Sequence, residues 1–113
     1  MIIKNTSQQT IISSHARLCT SSWQKARGLM FSPQKDLIFV AASEQKIPLH
    51  MFFVFYPIDV LYLDAEKRVV EIKESFLPFT FYNPTQKAQY VLEVQQGTIK
   101  KTQTAVNDSL AFL

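Results

Sequence analysis

The sequence predicts a mainly β fold, a compact barrel or sandwich of about seven short strands with one or two short helices. Three observations predict it. The apolar segments are short and rich in Val, Ile, Phe and Tyr, the composition of pleated, half-buried surfaces. Two of them flank a hairpin-length connection at residues 64–67. The helical signals cover barely two turns. At 113 residues, with 47% apolar and 19% charged side chains, the chain is expected to form one domain with one core.

Residues 11–18 carry β-branched side chains without a helical period and read as a strand, with residues 1–4 pairing beside it. In the following SSWQKARGLMF, Ser21 and Gln24 have the spacing of a capping box. Trp23 and Ala26 share a face, and Gly28 closes a short helix. Residues 36–41 (DLIFVA) form a strand and residues 43–46 a polar loop. Residues 50–55 (HMFFVF) are too apolar for alternation, which predicts a strand covered on both faces.

Residues 59–63 (DVLYL) and 68–73 (RVVEIK) form the hairpin. Pro78 and Pro84 make residues 74–87 a long packed loop, the kind of segment that carries function. Residues 88–94 return as a strand that Gly97 breaks. Residues 98–102 form a helical turn, and residues 106–112 a last short strand.

Composition excludes several classes. One cysteine, Cys19, forms no intramolecular disulfide, which favours a reducing compartment, and small buried filler is its first reading. Residues 1–10 lack the apolar core of a signal peptide. The densest apolar run, 47–63, is broken by Pro48, His50, Pro57 and Asp59, so a soluble cytoplasmic protein without membrane partners is expected. A formal charge of +3 comes from scattered bases rather than a stripe interleaved with aromatics, which disfavours nucleic acid.

Three blocks, taken together, resemble domain-of-unknown-function family 192. They are Arg27-Gly28-Leu29-Met30; His50-Met51-Phe52-Phe53 through Pro57-Ile58-Asp59-Val60 to Leu63-Asp64; and Val91-Leu92-Glu93 with Gly97. The resemblance spans the chain from about residue 11 and implies a compact β-rich barrel or sandwich. Many members carry a Trp-Met-Lys-Asn-Thr-like stretch where this chain has His50-Met51-Phe52-Phe53-Val54, so polar chemistry tied to that Lys and Asn is missing here. The family's Gly-Asp turn appears as Asn107-Asp108, and asparagine tolerates a left-handed conformation.

Arg27 and Asp59 form the best polar pair. A charged contact between helix end and sheet is the first reading, and Arg27 binding a ligand carboxylate or phosphate that Asp59 orients is the second. His50 sits in an apolar segment, as a core or rim histidine or as a general base. Glu93 shares the parity of Val91 and is placed to line a pocket with Asp59. His15, Cys19, Asp59 and Glu93 lack metal-ligand spacing, and neither Gly28 nor Gly97 belongs to a phosphate loop, so no metal and no cofactor are expected.

The leading expectation is a non-enzymatic domain that binds an unknown small molecule or protein. Its surface would combine the 74–87 loop, Arg27 and Asp59, with at least one of Phe79, Phe81 and Tyr82 partly exposed beside a shallow pocket. The alternative is a hydrolase or carbohydrate-active enzyme with His50, Asp59 and Glu93 converging in a cleft, and a weaker one is nucleic-acid binding. Oligomeric state is left open.

Overall fold

The computed structural model describes residues 1–19 and 28–113. The expected helix with Ser21, Trp23 and Ala26 lies outside the described residues, as does Arg27.

The described residues are mainly β, with ten strands and one short helix. The five-stranded sheet carries the core. Its order is β3 (Arg17–Cys19), β4 (Leu37–Gln45), β9 (Ala88–Gln95), β6 (Ile58–Leu63) and β7 (Val69–Phe76). Only the β3–β4 pairing is parallel. A three-stranded antiparallel sheet is ordered β10 (Leu110–Phe112), β1 (Ile3–Asn5), β2 (Thr10–Ser13), and β5 (Leu49–His50) pairs with β8 (Phe81–Tyr82). These sheets do not close into a barrel. The helix, α1 (Thr98–Thr102), follows Gly97, whose φ of +90° is open to glycine and strained for other residues.

Side-chain alternation in the central sheet sorts the interior into two layers. On one face Ile38, Leu61, Leu63, Leu92 and Val94 pack with Ile3, Ile12, Ile99 and Leu110 from the small sheet and α1. On the other, Leu37, Ile58, Val60, Tyr62, Phe76 and Val91 pack with Met51, Val54 and Leu29 from the loops. β6 is buried along its whole length because both of its faces are covered.

Strand number exceeds the expected seven because segments that read as continuous are divided. Residues 11–18 split at Ser14-His15-Ala16 into β2 and β3, which belong to different sheets. Ala16 donates its N–H to the Met1 carbonyl at 2.9 Å across the break. β4 runs on through the expected loop to Gln45, and β7 runs on to Phe76 with Ser75 at φ +51°. The reading of residues 50–55 as a doubly covered strand is corrected. Only His50 is in a strand. The chain then turns at Phe53 (φ +60°), leaving Phe52, Phe53 and Phe55 exposed while Met51 and Val54 point inward.

The β6–β7 hairpin forms as expected, with Asp64 Oδ1 accepting the N–H groups of Glu66 at 3.0 Å and Arg68 at 2.9 Å. Asn107 adopts φ +81°, the left-handed turn expected of Asn107-Asp108. Asp108 ties that turn to the first strand by accepting the Asn5 side-chain amide at 3.0 Å and the Ala105 N–H at 2.9 Å.

Candidate functional site: an apolar cavity with a buried carboxyl group

β4 pairs regularly with β9 from Leu37 to Val40, departs, and rejoins at Gln45 opposite Ala88. Residues 41–44 bow away from the sheet, and the Gln89 side-chain amide donates to the Ala41 carbonyl left by the irregularity. A cavity of about 390 Å³ opens beside this departure. Phe39, Ile47, Leu49, Met51, Val54 and Val91 give it apolar walls, and Lys46 and His50 stand at its exposed rim. The Tyr62 hydroxyl donates to the Ile47 carbonyl at 3.2 Å, fixing the segment that roofs it.

One carboxyl group reaches this cavity from the sheet. Glu93 stands opposite Leu37 on one side and Val60 on the other, on the face of Val91, as its parity predicted. It is 6% exposed and no side chain or backbone group among the described residues hydrogen-bonds to it. Burial penalises the carboxylate and pushes the Glu93 pKa up to about 7. The Tyr56 phenol is raised as well, first by its own burial and then by the nearby Glu93 charge, although the Ser32 hydrogen bond opposes this.

Asp59 lies elsewhere. It pairs with Val94 and shares the opposite face with Leu61, so the pleat directs Asp59 and Glu93 to different sides of one sheet. Its carboxylate accepts the N–H groups of Ser75 at 3.0 Å, Gly97 at 3.1 Å and Ile99 at 3.0 Å. Asp59 therefore holds the bend in β7 and the start of α1 together. The proposed Arg27 partnership lies outside the described residues, and the three expected polar groups do not converge: His50 and Glu93 border the cavity and Asp59 does not. The His50 ring accepts the Phe52 N–H at 3.2 Å and stacks on the Phe52 ring. Among the described residues no three His, Cys, Asp or Glu side chains gather to hold a metal ion.

A second feature adjoins the cavity. Phe31, Phe53, Phe55 and Phe79, each between 45% and 64% exposed, form a continuous cluster. Phe31 stacks on Phe53 with centroids 4.7 Å apart, and Phe79 meets Phe53 at 6.0 Å and Phe55 at 5.4 Å. Phe31, Phe53 and Phe79 all have φ between +54° and +60°, a region costly for bulky side chains. Backbone bonds sustain it: Phe31 N–H to the Phe53 carbonyl at 2.9 Å, and Phe79 N–H to the Met51 carbonyl at 2.7 Å. Three loops are thus stitched beneath four exposed rings.

Phe81, opposite His50 in β8, is 68% exposed, whereas Tyr82 is half-buried with its hydroxyl on Glu71. Glu71 also accepts Thr85 N–H and Gln86 N–H, both at 2.9 Å, which pins the 83–87 loop. Sequence reasoning missed Phe31, Phe53, Phe55 and Glu71. Exposure of the aromatics depends on backbone turns that their residue types do not advertise, and the sequence reading placed Glu71 in the 68–73 strand without assigning it a role.

A mainly β protein with an internal carboxyl group facing an apolar cavity is the class that fold and site define. The chain belongs to domain-of-unknown-function family 192, described as Uncharacterized ACR, whose model matches residues 2–112. A relative named only as a UPF0127 protein, from Pyrococcus horikoshii, is 30% identical over 98% of both chains. A protein of unknown function from Novosphingobium aromaticivorans superposes with TM-score 0.85 at 20% identity, covering 98% of this chain and 82% of that one. A Sinorhizobium meliloti structure, named as a proposed transcription regulator, gives 0.83 at 21% identity over 97% and 89%. At these identities the two structures show a shared fold.

Proposed function

We propose that this domain binds a small, largely apolar organic molecule in the cavity beside β4, with one polar group of that molecule engaging Glu93. The observation that carries the reading is a carboxyl group that is 6% exposed, has no hydrogen bond among the described residues and stands at an open cavity. Buried polar groups are ordinarily satisfied within the fold, and an exception calls for a ligand or a chemical role. A volume of about 390 Å³ is in the range of small-molecule sites. Ionised Glu93 would pair with an amine, and protonated Glu93 would donate to a carbonyl or hydroxyl oxygen.

The test is a panel of small aryl and alkyl amines, alcohols and amides, followed by amide shifts in two-dimensional NMR. Binders should perturb Ala41, Met51 and Val91, and Glu93→Gln should weaken them by about tenfold, the order expected for one lost charge-assisted contact. Binding indifferent to Glu93→Gln, or no perturbation of these amides by any member, would reject the proposal.

Acid–base catalysis is the second reading, favoured by a carboxyl pKa of about 7 with His50 at the same cavity. It stands on two groups rather than three, since Asp59 serves the opposite face. The name of the Sinorhizobium meliloti protein suggests nucleic acid. That reading has less support here, because the bases are scattered and the prominent surface is apolar.

A further inference from the structure

The cavity beside β4 has two unlike ends. Glu93 reaches it from the buried sheet, whereas Lys46 and His50 stand at its exposed rim. Among the described residues that line it, no other side chain titrates. The remaining lining side chains are apolar apart from Gln45, whose amide donates to the Ser43 carbonyl at 3.5 Å.

Both rim groups are placed by the fold and keep donors to spare. Lys46 follows Gln45, which rejoins β9 opposite Ala88, and precedes Ile47, whose carbonyl accepts the Tyr62 hydroxyl at 3.2 Å. Its backbone is thus held on both sides, and its ammonium forms no ion pair among the described residues. The His50 ring accepts the Phe52 N–H at Nδ1 and stacks on the Phe52 ring with centroids 5.3 Å apart. The proton of the neutral imidazole therefore sits on Nε2, which has no hydrogen-bond acceptor among the described residues.

Given the small-molecule reading above, on which this rests, we infer that the ligand is a hydroxylated aryl- or alkylcarboxylic acid. Its carboxylate is held by Lys46 and His50, its hydrocarbon by the apolar walls and its hydroxyl by Glu93. Two donors at one rim match the two oxygens of a carboxylate, and the Lys46 charge favours the anion. At the other end a hydroxyl both donates and accepts, so it pairs with Glu93 in either protonation state. It also enters an apolar pocket at a lower desolvation cost than an ammonium does.

The test titrates the isotope-labelled chain with para-hydroxyphenylpropanoate, ω-hydroxyoctanoate and the neutral primary amide of each, followed by NMR shifts at Ala41, Met51 and Val91. The acids should bind about fivefold more tightly than their amides, the order of an exposed charged contact. Lys46→Met, which keeps the stem and removes the charge at an exposed position, should cut that preference to about twofold or less. Glu93→Gln should weaken acids and amides by the same factor. If Lys46→Met disturbs the fold, the acid–amide comparison on the unaltered chain decides alone.

Amides that bind as tightly as the acids overturn the assignment and leave the small-molecule reading standing. An acid preference that survives a folded Lys46→Met unchanged does the same. No shift at these residues with any of the four compounds rejects the assignment, and a silent amine and alcohol panel as well would reject the reading beneath it.

Discussion

Glu93 carries a pH signature that no other described side chain shares. Its folded-state pKa of about 7 lies above the ordinary value of 4.5, so the folded chain holds this proton more tightly than the unfolded chain. The contribution to stability is therefore complete below about pH 4.5 and is lost as pH rises through 7, for a total of about 3 kcal/mol. Chemical denaturation should show Glu93→Gln gaining on the wild type by about that amount between pH 4.5 and 8, because glutamine cannot ionise. A constant difference across this range would mean that Glu93 is hydrated in the folded state. Parity with Val91 was legible in the sequence and put this residue on the correct face. Its place at a cavity was not, because that cavity opens beside the departure of β4 from β9 after Val40. Asp59 was legible as a buried carboxylate, but its three N–H partners come from residues 75, 97 and 99, which only the folded sheet brings together.

At the scale of elements, one side chain, Glu71, pins the 83–87 end of the loop that leads into β9. Burial pushes the Glu71 pKa up, yet hydrogen bonds from Tyr82, Gln86 and Thr85 outweigh it and leave the carboxyl below the usual range. The stability it supplies is present above the unfolded pKa and lost as pH falls, opposite in sign to Glu93. Glu71→Ala leaves three part-buried donors without their acceptor and should cost about 1–3 kcal/mol in urea denaturation. Hydrogen exchange at Thr85 and Gln86 should quicken more than at β6, whereas uniform acceleration would show that Glu71 does not act locally. Pro78 and Pro84 had marked this segment as a packed loop. The 50–55 segment shows the limit of pattern reading: six apolar-rich residues fit a buried strand, and the outcome turned on φ at Phe53, a conformation phenylalanine rarely adopts.

For the whole molecule, the β class, the β6–β7 hairpin and the helical turn after Gly97 were readable because each rests on local composition or turn chemistry. Sheet membership was not. β2 and β3 lie three residues apart in sequence and in different sheets, while β1 pairs with β10, with Ile3 opposite Phe112 and paired hydrogen bonds joining Ile2 and Leu113 at 2.9 and 2.8 Å. Non-local pairing of this kind slows folding, and stopped-flow refolding should proceed on the order of milliseconds to seconds rather than microseconds. The β1–β10 closure also has a consequence during synthesis. In synthesis β1 waits for β10, about ten seconds at ~5–20 residues per second. Until residues 110–112 leave the ribosome, Ile3 and Ile12 lack the Leu110 side of their layer, and the β1 edge offers unpaired backbone to any neighbouring nascent chain. The three-stranded sheet is completed only once its last strand has emerged, and until then β1 and β2 are surfaces that whatever shields emerging chains would cover.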